Sequence, residues 1–235
     1  MTLLSVVQDA WTRLGIEDDT PSAVVSSSDT SVKILRALLT HEGKELAARG
    51  NWQRLVKERA ITSTATQTQA GAIPADYSRM ISGTAWNYTE NEPLLGPLDA
   101  TEWQTLAAGV VGPPDLWFRL RGNNFMLLPT PSAGLDIRFE YVSLFWVDTD
   151  ADGVGDAATF AADTETFLLG EELLTLGLMW RWLKRNRLPY ADEFAEYTVQ
   201  VQQELARDGV KAPLNMGGRQ LGDRRPTVPA GSWSL

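Results

Sequence analysis

The chain has 235 residues, 43% of them hydrophobic and 22% charged, the balance of an ordinary globular protein with a sizeable core. It contains no cysteine, which excludes disulfides, thiolate metal sites and a cysteine nucleophile. Its formal net charge of −9 argues against a conventional nucleic-acid binder, which would carry a basic patch.

From the N-terminus, LLSVVQDAWTRLG (3–15) places Leu3, Val6, Val7, Ala10, Trp11 and Leu14 on one helical face, with Gly15 as a C-terminal stop. The start lacks the basic region of a secretory signal, so a soluble chain made in the cytoplasm is expected. DDTPSAVVSSSD (18–29) reads as a loop, after which Ser28 or Asp29 can cap a second helix ending near Gly50. RLVKERAITSTATQ (54–67) is rich in Thr, Ile and Val and reads as a strand. GAIPADYSRMISGTAW (71–86) gives a Pro turn and a further strand. DATEWQTLAAG (99–109) is a short helix with Asp99 and Glu102 spaced as a capping box. WFRLRGNNFMLLP (117–129) is a hairpin about Gly122-Asn123, and LDIRFEYVSLFWV (135–147) is the strongest strand pattern.

Helices then return. DTETFLLGEELLTLGLMWRWLKRN (163–186) is apolar on most of its surface, which implies burial on several sides. Its apolar run, 173–183, is too short to cross a bilayer and contains Arg181. PYADEFAEYTVQVQQELARDG (189–209) is a further amphipathic helix. The segment 211–235 holds four basic residues against one acidic, a net +3, so the rest of the chain carries −12. With many Gly and Pro and no periodicity, it is expected to be extended or disordered in isolation.

The stretch DTDADGVGDAATF (148–160) carries the most function-like pattern. Asp148, Asp150, Asp152, Gly153 and Asp156 fill positions 1, 3, 5, 6 and 9 of an EF-hand calcium loop. The second half of the pattern fails. Position 12 should be a bidentate Glu and is Thr159; position 8 should be apolar and is Gly155. A strand, not a helix, precedes it. The sequence therefore favours a polar strand-to-helix connection over a metal site, with Asp and Gly present because they suit turns.

No other motif carries chemistry. His41 is the single histidine and lacks the partners that a nitrogen/sulfur metal site or catalysis requires. Phosphate loops and a nucleophile elbow are absent. Glu171 and Glu172 are adjacent on a helix and point about 100° apart, so they solvate it. Trp180 and Trp182 flank Arg181 and read as core before partner-binding patch. No cofactor and no enzyme activity are expected. In the tail, Leu221 and Trp233 offer apolar anchors, while Arg219, Arg224 and Arg225 offer charge for an acidic partner surface.

The order of parts is the strongest signal. The segments SVVQDAWTRLG (5–15), LLTHEGKELAARGNWQRLVKE (38–58), IPADYSRMISGTAWN (73–87), FRLRGNNFMLLPTPSAG (118–134) and FLLGEELLTLGLMWRWLKRNRLPYADEFAEYTVQVQQELARDG (167–209) together resemble the head-to-tail adaptor proteins of tailed bacteriophages. These are also called tail tubular protein A or tail accessory factor. The resemblance implies a ring, usually dodecameric, in the neck of the virion, docked on the portal protein above and the tail or nozzle protein below. Double-stranded DNA would pass through without sequence-specific binding, and the C-terminal arm would reach along the portal. No catalytic residue comes with it. A stopper or other neck protein, and a calcium-dependent binding module, are the rival readings.

The expected fold is α+β, a helical bundle with a β-rich insertion and an extended C-terminal arm. Its parts are a helical portion at 1–54, the β-rich insertion at 55–162, a helical return at 163–210 and the arm at 211–235.

Overall fold

The computed structural model describes residues 2–109 and 115–209, and their architecture is mixed α+β. The helices are α1 (Leu3–Arg13), α2 (Thr30–Arg49), α3 (Ala100–Ala107), α4 (Glu171–Arg185) and α5 (Ala191–Asp208). The strands are β1 (Val56–Thr62), β2 (Thr68–Gln69), β3 (Tyr77–Met80), β4 (Trp86–Asn87), β5 (Glu92–Pro93), β6 (Trp117–Arg121), β7 (Asn124–Leu128), β8 (Asp136–Ser143), β9 (Val147–Asp148) and β10 (Thr166–Phe167). The described residues form two compact units. One holds 2–57, 76–79 and 141–209; the other holds 58–75, 80–109 and 115–140. The predicted arm, 211–235, lies outside the described residues.

In the first unit, local chemistry sets the helix ends. Asp29 caps α2 by accepting from Ser31 N at 2.6 Å and Val32 N at 3.4 Å. Thr2 and Ser5 form a reciprocal cap on α1, and Gly15 takes φ +63° just past its end. Leu3, Val6, Val7, Ala10 and Trp11 are the buried face of α1, at the predicted spacing. The loop after α1 is tied down by side chains. Trp11 Nε1 donates to Asp18 O at 3.0 Å, and Asp163 accepts from Val24 N and Val25 N at 3.1 and 2.7 Å.

Helix α4 packs against α1, α2 and α5. Residues 173–178 are all buried, as expected of a helix apolar on most sides. It starts later than the sequence pattern predicts. Residues 166–167 form β10, pairing antiparallel with β9 so that Thr166 faces Asp148 and Phe167 faces Val147. The Glu165 carbonyl accepts from Leu3 N at 3.0 Å. These long-range backbone bonds override a locally helical pattern, and Gly170 takes the N-cap position.

The second unit is built from antiparallel strands. The hairpin β6–β7 turns through Gly122-Asn123 with Arg121 opposite Asn124, and Gly122 adopts φ +60°. β2 adds to β7, and β4 pairs with β5 and β8. Phe118, Phe125 and Phe139 stack in sequence, with ring centroids 5.3 and 5.4 Å apart. A second cluster joins Leu95, Leu98, Trp103, Trp117 and Met126. Trp103 reaches it from α3, whose start carries the predicted capping box of Asp99 and Glu102.

Candidate functional sites: an acidic loop and an aromatic helix end

The acidic stretch is a closed loop between two paired strands, not a strand-to-helix connection. β9 enters it and β10 follows it. The loop folds back on its own start: Asp156 N donates to Val147 O at 2.8 Å, and Val147 N donates to Ala157 O at 3.0 Å. Gly153, at the sixth position of the calcium pattern, adopts φ +86°, where glycine is favoured. A Cβ on Gly155 would overlap the carbonyl of Phe145, so the eighth position has no room for the apolar residue of an EF-hand.

The loop brings Asp148, Asp150, Asp152 and Asp156 together. One carboxylate oxygen from each lies within 4.8 Å of the others. Three of the four side chains are exposed, but Asp148 is 4% exposed. Its Oδ2 accepts from Gly153 N at 2.9 Å, while its Oδ1 is buried and has no hydrogen-bond partner among the described residues. Burial pushes the Asp148 carboxyl up, yet the backbone N–H groups led by Gly153 hold it below its ordinary value. Asp150 is raised, by desolvation and by the charges of Asp152, Asp156 and Asp148. The Asp152 carboxylate accepts from Val154 N at 2.7 Å, and that of Asp156 from Thr149 Oγ1 at 3.1 Å.

Lys57 stands beside this loop. Its ammonium donates to the Gly155 carbonyl at 2.7 Å and to Asp76 Oδ2 at 3.2 Å. Asp76 is a buried hub that also accepts from Ser143 Oγ at 2.8 Å and Tyr141 OH at 3.0 Å. Desolvation raises the Asp76 carboxyl, but Ser143, Lys57 and Tyr141 together hold it below its ordinary value.

A second feature lies at the α4–α5 turn. Trp180 packs edge-on against Phe194, with ring centroids 5.0 Å apart, and at a tilt against Tyr190 at 6.5 Å. The Arg181 guanidinium sits 4.5 Å from the Trp180 ring, and Lys184 Nζ is 5.5 Å from it. Trp180 is buried and Trp182 is half-buried. Phe194, however, is 41% exposed, and Leu188 and Val199 are 49% and 52% exposed. Only Tyr197 and Val201 of α5 are buried.

Sequence reasoning missed the group that anchors this turn. Glu42 of α2 is fully buried and pairs with Arg181 of α4, while Tyr197 of α5 donates to the same carboxylate. Arg181 also donates to Glu45 Oε2 at 2.6 Å. Burial and the Glu42 carboxylate hold the Tyr197 phenol well above its ordinary value. An Arg inside an apolar helix does call for an acidic partner, but its identity 139 residues away is not written in the local pattern. His41, one residue before Glu42, is exposed. The candidate partner residues Arg219, Leu221, Arg224, Arg225 and Trp233 lie outside the described residues.

None of this is the geometry of a nucleophile, a base and an orienting group. Among the described residues no helix is long and apolar enough to cross a membrane. The family model described as SU10 adaptor protein matches residues 1–227, and the chain belongs to that family. It is thereby a phage adaptor protein, a component of the virion that works against capsid or tail parts. No curated protein matches the chain.

Proposed function

We propose that the chain is the head-to-tail adaptor of a tailed-phage virion. Copies assemble into a ring, of twelve in the usual arrangement, between the capsid portal and the tail or nozzle protein, and DNA passes through the ring. The observation that carries this reading is the family match across nearly the whole chain. The role is structural, with no catalysis.

Three features support it. At the α4–α5 turn Phe194 stays partly in solvent beside Trp180, and such an exposed aromatic edge suits burial against a neighbouring copy. The net charge of −9 suits a channel wall that must not hold phosphates. The basic segment with Arg219, Leu221, Arg224, Arg225 and Trp233 offers charge and apolar anchors to the portal.

Two variants test the reading. Phe194→Ser removes a half-exposed ring together with its contact to Trp180, so it should abolish assembly on the portal while lowering the thermal midpoint of the free chain by only about 2–6 °C. Truncation at Lys211 should leave the chain folded and weaken portal binding at least tenfold. Unchanged assembly in both variants would contradict these assignments.

A further inference from the structure

We propose that the loop 148–156 is a calcium site with Asp148, Asp150, Asp152 and Asp156 as ligands. The inference rests on this loop alone and does not depend on the adaptor reading.

Two independent observations point to a cation. The first is the convergence of four carboxylate oxygens within 4.8 Å. Like charges so placed repel, and no Lys, Arg or His forms an ion pair with any of them among the described residues. Lys57, the cation beside the loop, spends its hydrogen bonds on the Gly155 carbonyl and on Asp76. The second observation is Asp148. It is the one ligand that is buried, and its Oδ1 has no partner among the described residues. A buried carboxylate oxygen with no donor is costly, and a cation held by the other three Asp side chains would satisfy it.

The donor set selects the ion. All four ligands are hard oxygens, with no nitrogen or sulfur, which fits calcium or magnesium and not zinc or copper. The loop is irregular, and Asp150, Asp152 and Asp156 are exposed, so water can supply further oxygens. Calcium accepts six to eight oxygens in flexible geometry, whereas magnesium demands a near-ideal octahedron. Thr159 stands where an EF-hand supplies a bidentate Glu, so the affinity should fall in the weak range, about 10⁻⁴ to 10⁻³ M. The loop is held between β9 and β10, and Trp146 just before it packs on α2 at Gly43, where a Cβ would overlap the indole. Calcium would therefore tighten the segment that leads into α4.

The test uses the full chain freed of metal with a chelator. Thermal unfolding with rising calcium should show a saturating rise of about 3–6 °C at a tenfold excess over Kd, with magnesium clearly weaker. Terbium should show luminescence sensitised by tryptophan that calcium displaces. Asp150 and Asp152 are exposed, so Asp150→Asn with Asp152→Asn should fold normally, keep its midpoint in chelator or raise it, and lose both signals. Asp148→Asn should lose them as well. No calcium shift at about 10 mM, tenfold above the weak end of the range, would overturn the proposal. So would a shift that persists undiminished in the Asp150/Asp152 variant, or one that magnesium reproduces in full.

Discussion

Glu42 shows how a single buried side chain fixes its surroundings. Its carboxylate takes Arg181 and Tyr197 at once, and a Cβ on Gly177 would overlap it. In an exposed helix Gly→Ala would stabilise by about 1 kcal/mol through propensity. At Gly177 the carboxylate is pinned by two partners and cannot withdraw, so Gly177→Ala should instead destabilise by about 1–3 kcal/mol in urea unfolding. Glu42→Ala should cost about 3–5 kcal/mol, because it leaves the largely buried Arg181 with Glu45 alone and the buried Tyr197 hydroxyl without its acceptor. Asp76 gives a pH signature. Its folded pKa is depressed, so its contribution is present above the unfolded value near about 4 and is lost as pH falls through the lower folded value. Asp76→Asn should flatten the stability–pH curve below about pH 4 relative to the parent chain. An unchanged slope would remove Asp76 from the acid response.

At the scale of elements, what was legible in the sequence was what is local. The caps at Asp29 and Asp99 and the Gly122-Asn123 turn each need only residues within a few positions. The cap on α3 is therefore a clean test: Asp99→Ala should cost about 1 kcal/mol, read as a lower thermal midpoint. The β9–β10 pairing was not legible, because Thr166 finds Asp148 across eighteen residues and its own neighbours spell a helix. The acidic loop was legible as a pattern but not as a geometry. Spacing gave the four Asp positions, yet only the fold shows that Asp148 is buried with one oxygen unpaired. The Glu42–Arg181 pair was hidden for the same reason, its partners lying on α2 and α4.

For the whole molecule, the order of parts said more than any motif. Helix, loop, helix, strands and helical return together resemble a phage adaptor, and the family match over residues 1–227 places the chain among such proteins. The aromatic flank of α5 and the acidic balance are features an assembling ring would use. The direct test is the native mass of the purified chain, alone and mixed with the portal ring encoded by the same genome. The account predicts a defined many-copy complex with the portal, with one stoichiometry. A chain that stays monomeric in the presence of intact portal rings would contradict it.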